Sequence, residues 1–225
     1  MYGQDLFLIL IGLAITVIAQ IYVSITFAKY KKIQNSKGIS GFEVAKAILD
    51  NNGLSNIYVT ETKGMLADHY DASRKVVRLS TEIFHGTTIA ASSVAAHEVG
   101  HAIQDKEGYS FMRIRSAIFP LVNISSYIGY IAIMIGLVFG PSDLILVGIV
   151  LEMVILLFQI ITLPVEFNAS KRAKEELQKY KLVNTKELQG SAKMLNAAAL
   201  TYVAAVLTTL LQVVRLILIY GNRRD

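Results

Sequence analysis

The sequence predicts a mainly α, multi-pass membrane protein, with four transmembrane helices and a small cytosolic α+β unit. Three observations predict this class. Four apolar runs each approach the roughly 20 residues that a helix needs to cross a hydrocarbon core. Charge is sparse, at 17% of 225 residues, against about 25% in a typical soluble domain. The charged residues also gather in two stretches, 29–116 and 166–197, that alternate with the apolar runs.

The first run, Leu6 to Ala28, carries no charge. No basic residue precedes it, and its apolar core exceeds the roughly 7–15 residues of a signal peptide, so a retained anchor is expected. The spans between Arg115 and Asp143 and between Lys193 and Arg215 are also uncharged, and Leu144 to Val165 contains only Glu152. In lipid the backbone must satisfy its own polar groups, so all four runs should be helices. The expected layout is a first transmembrane helix over 1–28, a cytosolic segment over 29–116 and a transmembrane hairpin over 117–165. A second cytosolic segment over 166–197 and a fourth helix with a short tail over 198–225 complete it.

Orientation follows from the basic residues. Segments 29–116 and 166–197 hold 12 and 7 Lys/Arg, whereas the opposite side holds 2, both in the tail. The positive-inside rule puts the two segments in the cytosol and the N-terminus outside. The net charge of +5 therefore reflects flanks of membrane helices. The expected partner is a lipid bilayer, not nucleic acid. The chain has no cysteine, which excludes a disulfide framework.

Within the first cytosolic segment, Ser40 followed by Glu43 reads as a capping box opening a helix, with Gly53 as its stop. "NIYVTE" (56–61) reads as a strand. "MLADHYD" and "KVVRLS" flank residues 71–74 as a hairpin. From Thr88 to Asp105 the small-residue pattern is helical, with Gly108 after it.

That last helix carries "HEVGH" (97–101). His97 and His101, four apart, lie on one face and can grip one metal ion. Glu98 is turned by about 100 degrees from His97, near the site but not a ligand, and is placed as a general base. Two imidazoles suit zinc, which lowers the pKa of a bound water to about 7. A catalytic zinc wants a third protein ligand. Position 104 is Gln104 and position 107 is Glu107, which excludes the H-x-x-G-x-x-H continuation. Glu166, at the inner end of the third span and on the same side as His97, is the best candidate, and Glu107 is the alternative.

"LADHYD", "KVVRLS", "VAAHEVGHAIQD", "LPVEFNASKRA" and "AAALTYVAAVL", in this order, resemble the YugP-type neutral zinc metallopeptidases of bacteria over nearly the whole chain. The layout is also similar to that of the HtpX-type membrane gluzincins. The resemblance implies a zincin-like catalytic unit, one zinc per chain, peptide-bond hydrolysis and a cytosol-facing active site in the cytoplasmic membrane. It carries the ligand roles onto His97, His101 and Glu166 and the base role onto Glu98. One position departs from the gluzincin pattern: Ser170 stands four residues after Glu166, where an Asp commonly supports a histidine. By analogy the substrates are membrane-associated or misfolded polypeptides. Candidates for stabilising the oxyanion are Tyr202, at the start of the fourth span, and His69, on the expected edge strand, which could also pair with an extended peptide. His85 reads as a loop residue.

Glu152 and Arg215 match in depth to within about 5 Å at 1.5 Å per residue, so they are expected to pair or to share water. The rival reading is a non-catalytic zinc-binding scaffold or regulator, against which Glu98 argues, because a structural site needs no base.

Overall fold

The computed structural model describes residues 2–64 and 67–222. Its elements are α1 (Tyr2–Tyr30), α2 (Gly41–Asn51), β1 (Tyr58–Thr62), β2 (His69–Asp71), β3 (Val76–Ser80), α3 (Thr81–His85), α4 (Ile89–Lys106), α5 (Ser110–Phe139), α6 (Ser142–Lys179) and α7 (Thr185–Asn222). Helices α1, α5, α6 and α7 are long and apolar enough to cross a membrane. Each coincides with one apolar run. Helices α6 and α7 extend well past their runs, to 38 residues each. Good helix formers (Ala, Lys, Glu and Leu) fill "ASKRAKEELQK", so nothing stops α6 at the last apolar residue. The turn between them carries Lys181 at φ 52°. The start of the expected strand segment at Met65 and Leu66, and the tail beyond 222, lie outside the described residues.

The chain divides into two compact units, residues 1–20 with 113–164 and 200–225, and residues 21–112 with 165–199. In the first, glycines let α5 and α6 approach closely. A Cβ on Gly148 would stand 2.3 Å from Ile133 Cγ1, and one on Gly136 2.7 Å from Ile145 Cγ1. Small residues of this kind are what bring helices together where no hydrophobic effect drives them. Between α1 and α7 the contacts are polar. Thr16 and Thr208 share a hydrogen bond of 3.2 Å, and the Arg215 guanidinium pairs with Asp5. Asp5, not Glu152, is therefore the carboxylate that Arg215 meets. Glu152 and Arg215 do line one cavity of about 470 Å³, with Thr16, Thr208 and Gln212.

The second unit is α+β. Ser40 and Glu43 form the expected capping box at α2: Glu43 N–H donates to Ser40 Oγ, and Ser40 N–H donates to Glu43 Oε2 at 2.6 Å. After α2, Gly53 adopts φ +64°, the left-handed conformation that glycine takes at no steric cost. The three strands run in the order β1-β3-β2. β2 pairs antiparallel with β3, His69 opposite Arg78, which is the expected hairpin. β1 pairs parallel with β3, Tyr58 opposite Val76, and this pairing has no local sequence signal. Central β3 buries Val76, Val77 and Leu79, as a strand flanked on both sides should. It runs directly into α3, whose last residue is His85. His85 therefore ends a short helix instead of lying in a loop, and its Nε2 stands 3.3 Å from Glu61 Oε2.

Helix α4 begins at the Thr88 cap, whose hydroxyl accepts from Ala91 N–H. Its face of Ala91, Ala95, Ala96, Val99 and Ala102 packs into one core with Ile48 and Leu49 of α2, Val77 and Leu79 of β3, and Ala173 and Leu177 of α6. Helix α4 comes close to α6 at Gly100, where an added Cβ would lie 2.7 Å from the Ala169 carbonyl oxygen. Backbone cannot swing aside as a side chain can. Gly100→Ala should force the helices apart and cost about 1–3 kcal/mol, as overpacked cores do. A lower melting temperature for the purified variant, read by circular dichroism, checks this; an unchanged value would show that the helices are not held at this separation.

Candidate metal centre

The close approach at Gly100 brings His97 and His101 of α4 against Glu166 of α6. Glu166 Oε2 lies 3.2 Å from His97 Nε2 and 3.6 Å from His101 Nε2. The three side chains offer donor atoms that all lie within 4.8 Å of one another. The imidazoles meet edge to face, with centroids 4.9 Å apart. The i, i+4 spacing sets their shared face. Glu166 arrives from the helix that Gly100 admits.

Distances and donor chemistry fit a small divalent cation. Two ligands at about 2.0–2.1 Å from one zinc, at a tetrahedral angle, stand about 3.3 Å apart, close to both nitrogen–oxygen separations. Nitrogen and carboxylate oxygen are both donors that zinc accepts. Glu166 is 3% exposed, His101 and Glu98 8% each. Burying carboxylates this deeply is costly without a compensating positive charge. His101 reports the same field. Burial alone would lower its pKa, but the neighbouring carboxylate of Glu166, with the charge of Glu98, outweighs burial and raises it. The pocket therefore favours a cation on, or next to, these imidazoles.

Outer contacts aim the imidazoles. Ser170 Oγ lies 3.2 Å from His97 Nδ1, so the hydroxyl at the departing position supports a histidine as an Asp commonly does, without its charge. His101 Nδ1 lies 3.0 Å from Gln104 Oε1. The Gln104 amide donates to the Val165 carbonyl at 2.8 Å and to Asn168 Oδ1 at 2.9 Å. Arg172 Nε donates to Asn168 Oδ1 at 2.7 Å, and its Nη2 to Glu107 Oε2 at 2.6 Å. Gln104 and Arg172 were not singled out from the sequence. The available signals were the three-residue spacing from His101 to Gln104 and the four-residue spacing from Asn168 to Arg172.

Glu98 stands on α4 between the two histidines and is buried. Glu107 is the C-cap residue of α4. Its hydrogen bond to Arg172 holds its pKa below the usual carboxylate value, and it is not among the converging donors. His69 is exposed on edge strand β2, with Nδ1 2.8 Å from the Ala67 carbonyl oxygen. Tyr202 stands on α7 and is exposed. Beside His69, Tyr70 is tied to the end of α4 through a 2.7 Å hydrogen bond from its hydroxyl to Asp105. Burial and that acceptor push its phenol pKa up.

The sequence matches, over residues 6–221, the model of the family described as "Putative neutral zinc metallopeptidase". It is 44% identical over 220 residues to the "Putative membrane protease YugP" of Bacillus subtilis (strain 168), and the alignment covers 98% of each chain. No solved structure matches it. With nearly its whole length matched, and with two histidines and a glutamate drawn together inside it, the chain belongs to this zinc metallopeptidase family.

Proposed function

We propose that the protein is a membrane-embedded zinc endopeptidase that hydrolyses peptide bonds in a cytosol-facing, zincin-like unit. The observation that carries this reading is the convergence of His97, His101 and Glu166 from two helices, with the buried Glu98 beside them. Family membership and the relative named a membrane protease support the class of reaction.

His97, His101 and Glu166 hold one zinc. When bound, the ion polarises both the attacking water and the scissile carbonyl. Glu98 takes a proton from the water as its oxygen bonds to the carbonyl carbon. The carbon–nitrogen bond then breaks, and Glu98 returns the proton to the leaving amine. The second water proton also passes to the amine, so the products are a carboxylate and an ammonium group, and Glu98 is regenerated as a carboxylate. Its burial keeps competing bulk water away and strengthens its interaction with the reacting charges. Tyr202 or His69 supplies a hydrogen bond to the oxyanion. β2 is an edge strand, so an extended substrate can add to it through backbone hydrogen bonds. The substrates proposed are membrane-associated or misfolded polypeptides.

Glu98→Gln keeps shape and removes the proton acceptor. General-base contributions are about 10²–10⁴-fold, so kcat/KM on a casein-derived peptide should fall by at least that, with zinc content and melting temperature unchanged. A zinc-loaded variant that cleaves near the wild-type rate would refute this mechanism. A wild type that binds zinc and cleaves nothing would leave the non-catalytic scaffold.

The proposed topology places the N-terminus outside and residues 29–116 inside. Lys37 is exposed, and the native chain has no cysteine, so Lys37→Cys gives a single label site. A membrane-impermeant maleimide should label it only after the cells are opened. Labelling in intact cells would reverse the orientation.

A further inference from the structure

We infer that Gln104 is a positioning residue that fixes His101 in its Nδ1–H tautomer, with Asn168 and Arg172 holding the Gln104 amide in the required orientation. The inference rests on the reading of His101 as a zinc ligand through Nε2.

Two neighbouring groups have a hydrogen-bonding sense fixed by their chemistry. A backbone carbonyl only accepts, and a guanidinium only donates. Gln104 places one amide end 2.8 Å from the Val165 carbonyl oxygen. That end must be Nε2, because Oε1 there would set two acceptors against each other. Arg172 Nε lies 2.7 Å from one end of the Asn168 amide, so that end must be Oδ1. The same Oδ1 then accepts from Gln104 Nε2 at 2.9 Å. Both hydrogens of the Gln104 amide are thereby used, and its two neighbours independently require the same orientation.

The other end, Oε1, faces His101 Nδ1 at 3.0 Å. An amide oxygen can only accept, so Nδ1 carries the hydrogen. In neutral imidazole the lone pair then sits on Nε2, the nitrogen 3.6 Å from Glu166 Oε2. Gln104 is fully buried, so water does not compete for these bonds. His97 is held differently. Its Nδ1 meets the Ser170 hydroxyl, which can donate or accept and so selects no tautomer. The site thus has one histidine whose metal-facing lone pair is set in advance and one that is left to the ion.

The chain has four histidines, which makes a nitrogen-15 correlation spectrum of the metal-stripped, full-length protein in micelles tractable. Above the titration range, wild-type His101 should appear as the Nδ1–H form. Gln104→Leu removes the acceptor, so His101 should become a mixture of tautomers. Zinc affinity should fall by about 10–100-fold, the usual loss when an outer partner of a ligand is removed. Wild-type His101 in the Nε2–H form overturns the inference without any variant. So does a folded Gln104→Leu protein whose His101 stays wholly Nδ1–H. If the wild type shows the Nδ1–H form yet takes up no zinc, the zinc reading fails and the tautomer assignment stands.

Discussion

Glu166 sits almost fully buried between two imidazoles, and the local architecture of the α+β unit is arranged around that contact. An isolated buried carboxylate would cost several kcal/mol. Two imidazole nitrogens at 3.2 and 3.6 Å offset this only if positive charge resides on them or between them. The same constraint explains Gly100. Side chains as short as glutamate can meet histidine across a helix pair only if the backbones come close, and a methyl group at Gly100 would strike the Ala169 carbonyl. It also explains the small residues of α4, which let the helix settle against α2, the sheet and α6 at once. Packing and site geometry are therefore one problem here, with charge compensation as its common term.

The supporting contacts are neutral. Ser170 and Gln104 bring oxygen atoms but no formal charge to the histidines. In a pocket that already holds Glu98 and Glu166, a third carboxylate would add to the negative charge to be compensated. Neutral partners orient the rings without that cost, and the guanidinium of Arg172 enters only at second hand, through Asn168.

The sequence made the membrane class legible because lipid leaves helices as nearly the only solution for long apolar runs. The i, i+4 histidines were legible for a similar reason, since helical geometry is local. Glu166 could be reached only by asking which acid lies on the same side of the membrane, an argument about topology that left Glu107 open. What stayed hidden depends on contacts between distant segments. The parallel pairing of β1 with β3 has no turn to announce it, and α3 is a short helix entered directly from a strand. Gln104 looked like a failed continuation of a metal motif, whereas it is the partner that orients the second histidine. Glu152 and Arg215 match in depth and line one cavity, but depth along a helix does not select the ion-pair partner, and the guanidinium meets Asp5 on α1.

In the proposed reading, one zinc ion joins α4 to α6 through His97, His101 and Glu166. X-ray absorption at the zinc edge tests this, on wild-type protein and on Glu166→Ala incubated with the same zinc concentration. The wild-type spectrum should show nitrogen and oxygen neighbours only, at about 2.0–2.2 Å, and outer-shell scattering from two imidazoles. Glu166→Ala should take up less zinc or show one carboxylate fewer. A wild-type site with no imidazole scattering, or a Glu166→Ala spectrum and stoichiometry identical to wild type, would contradict it.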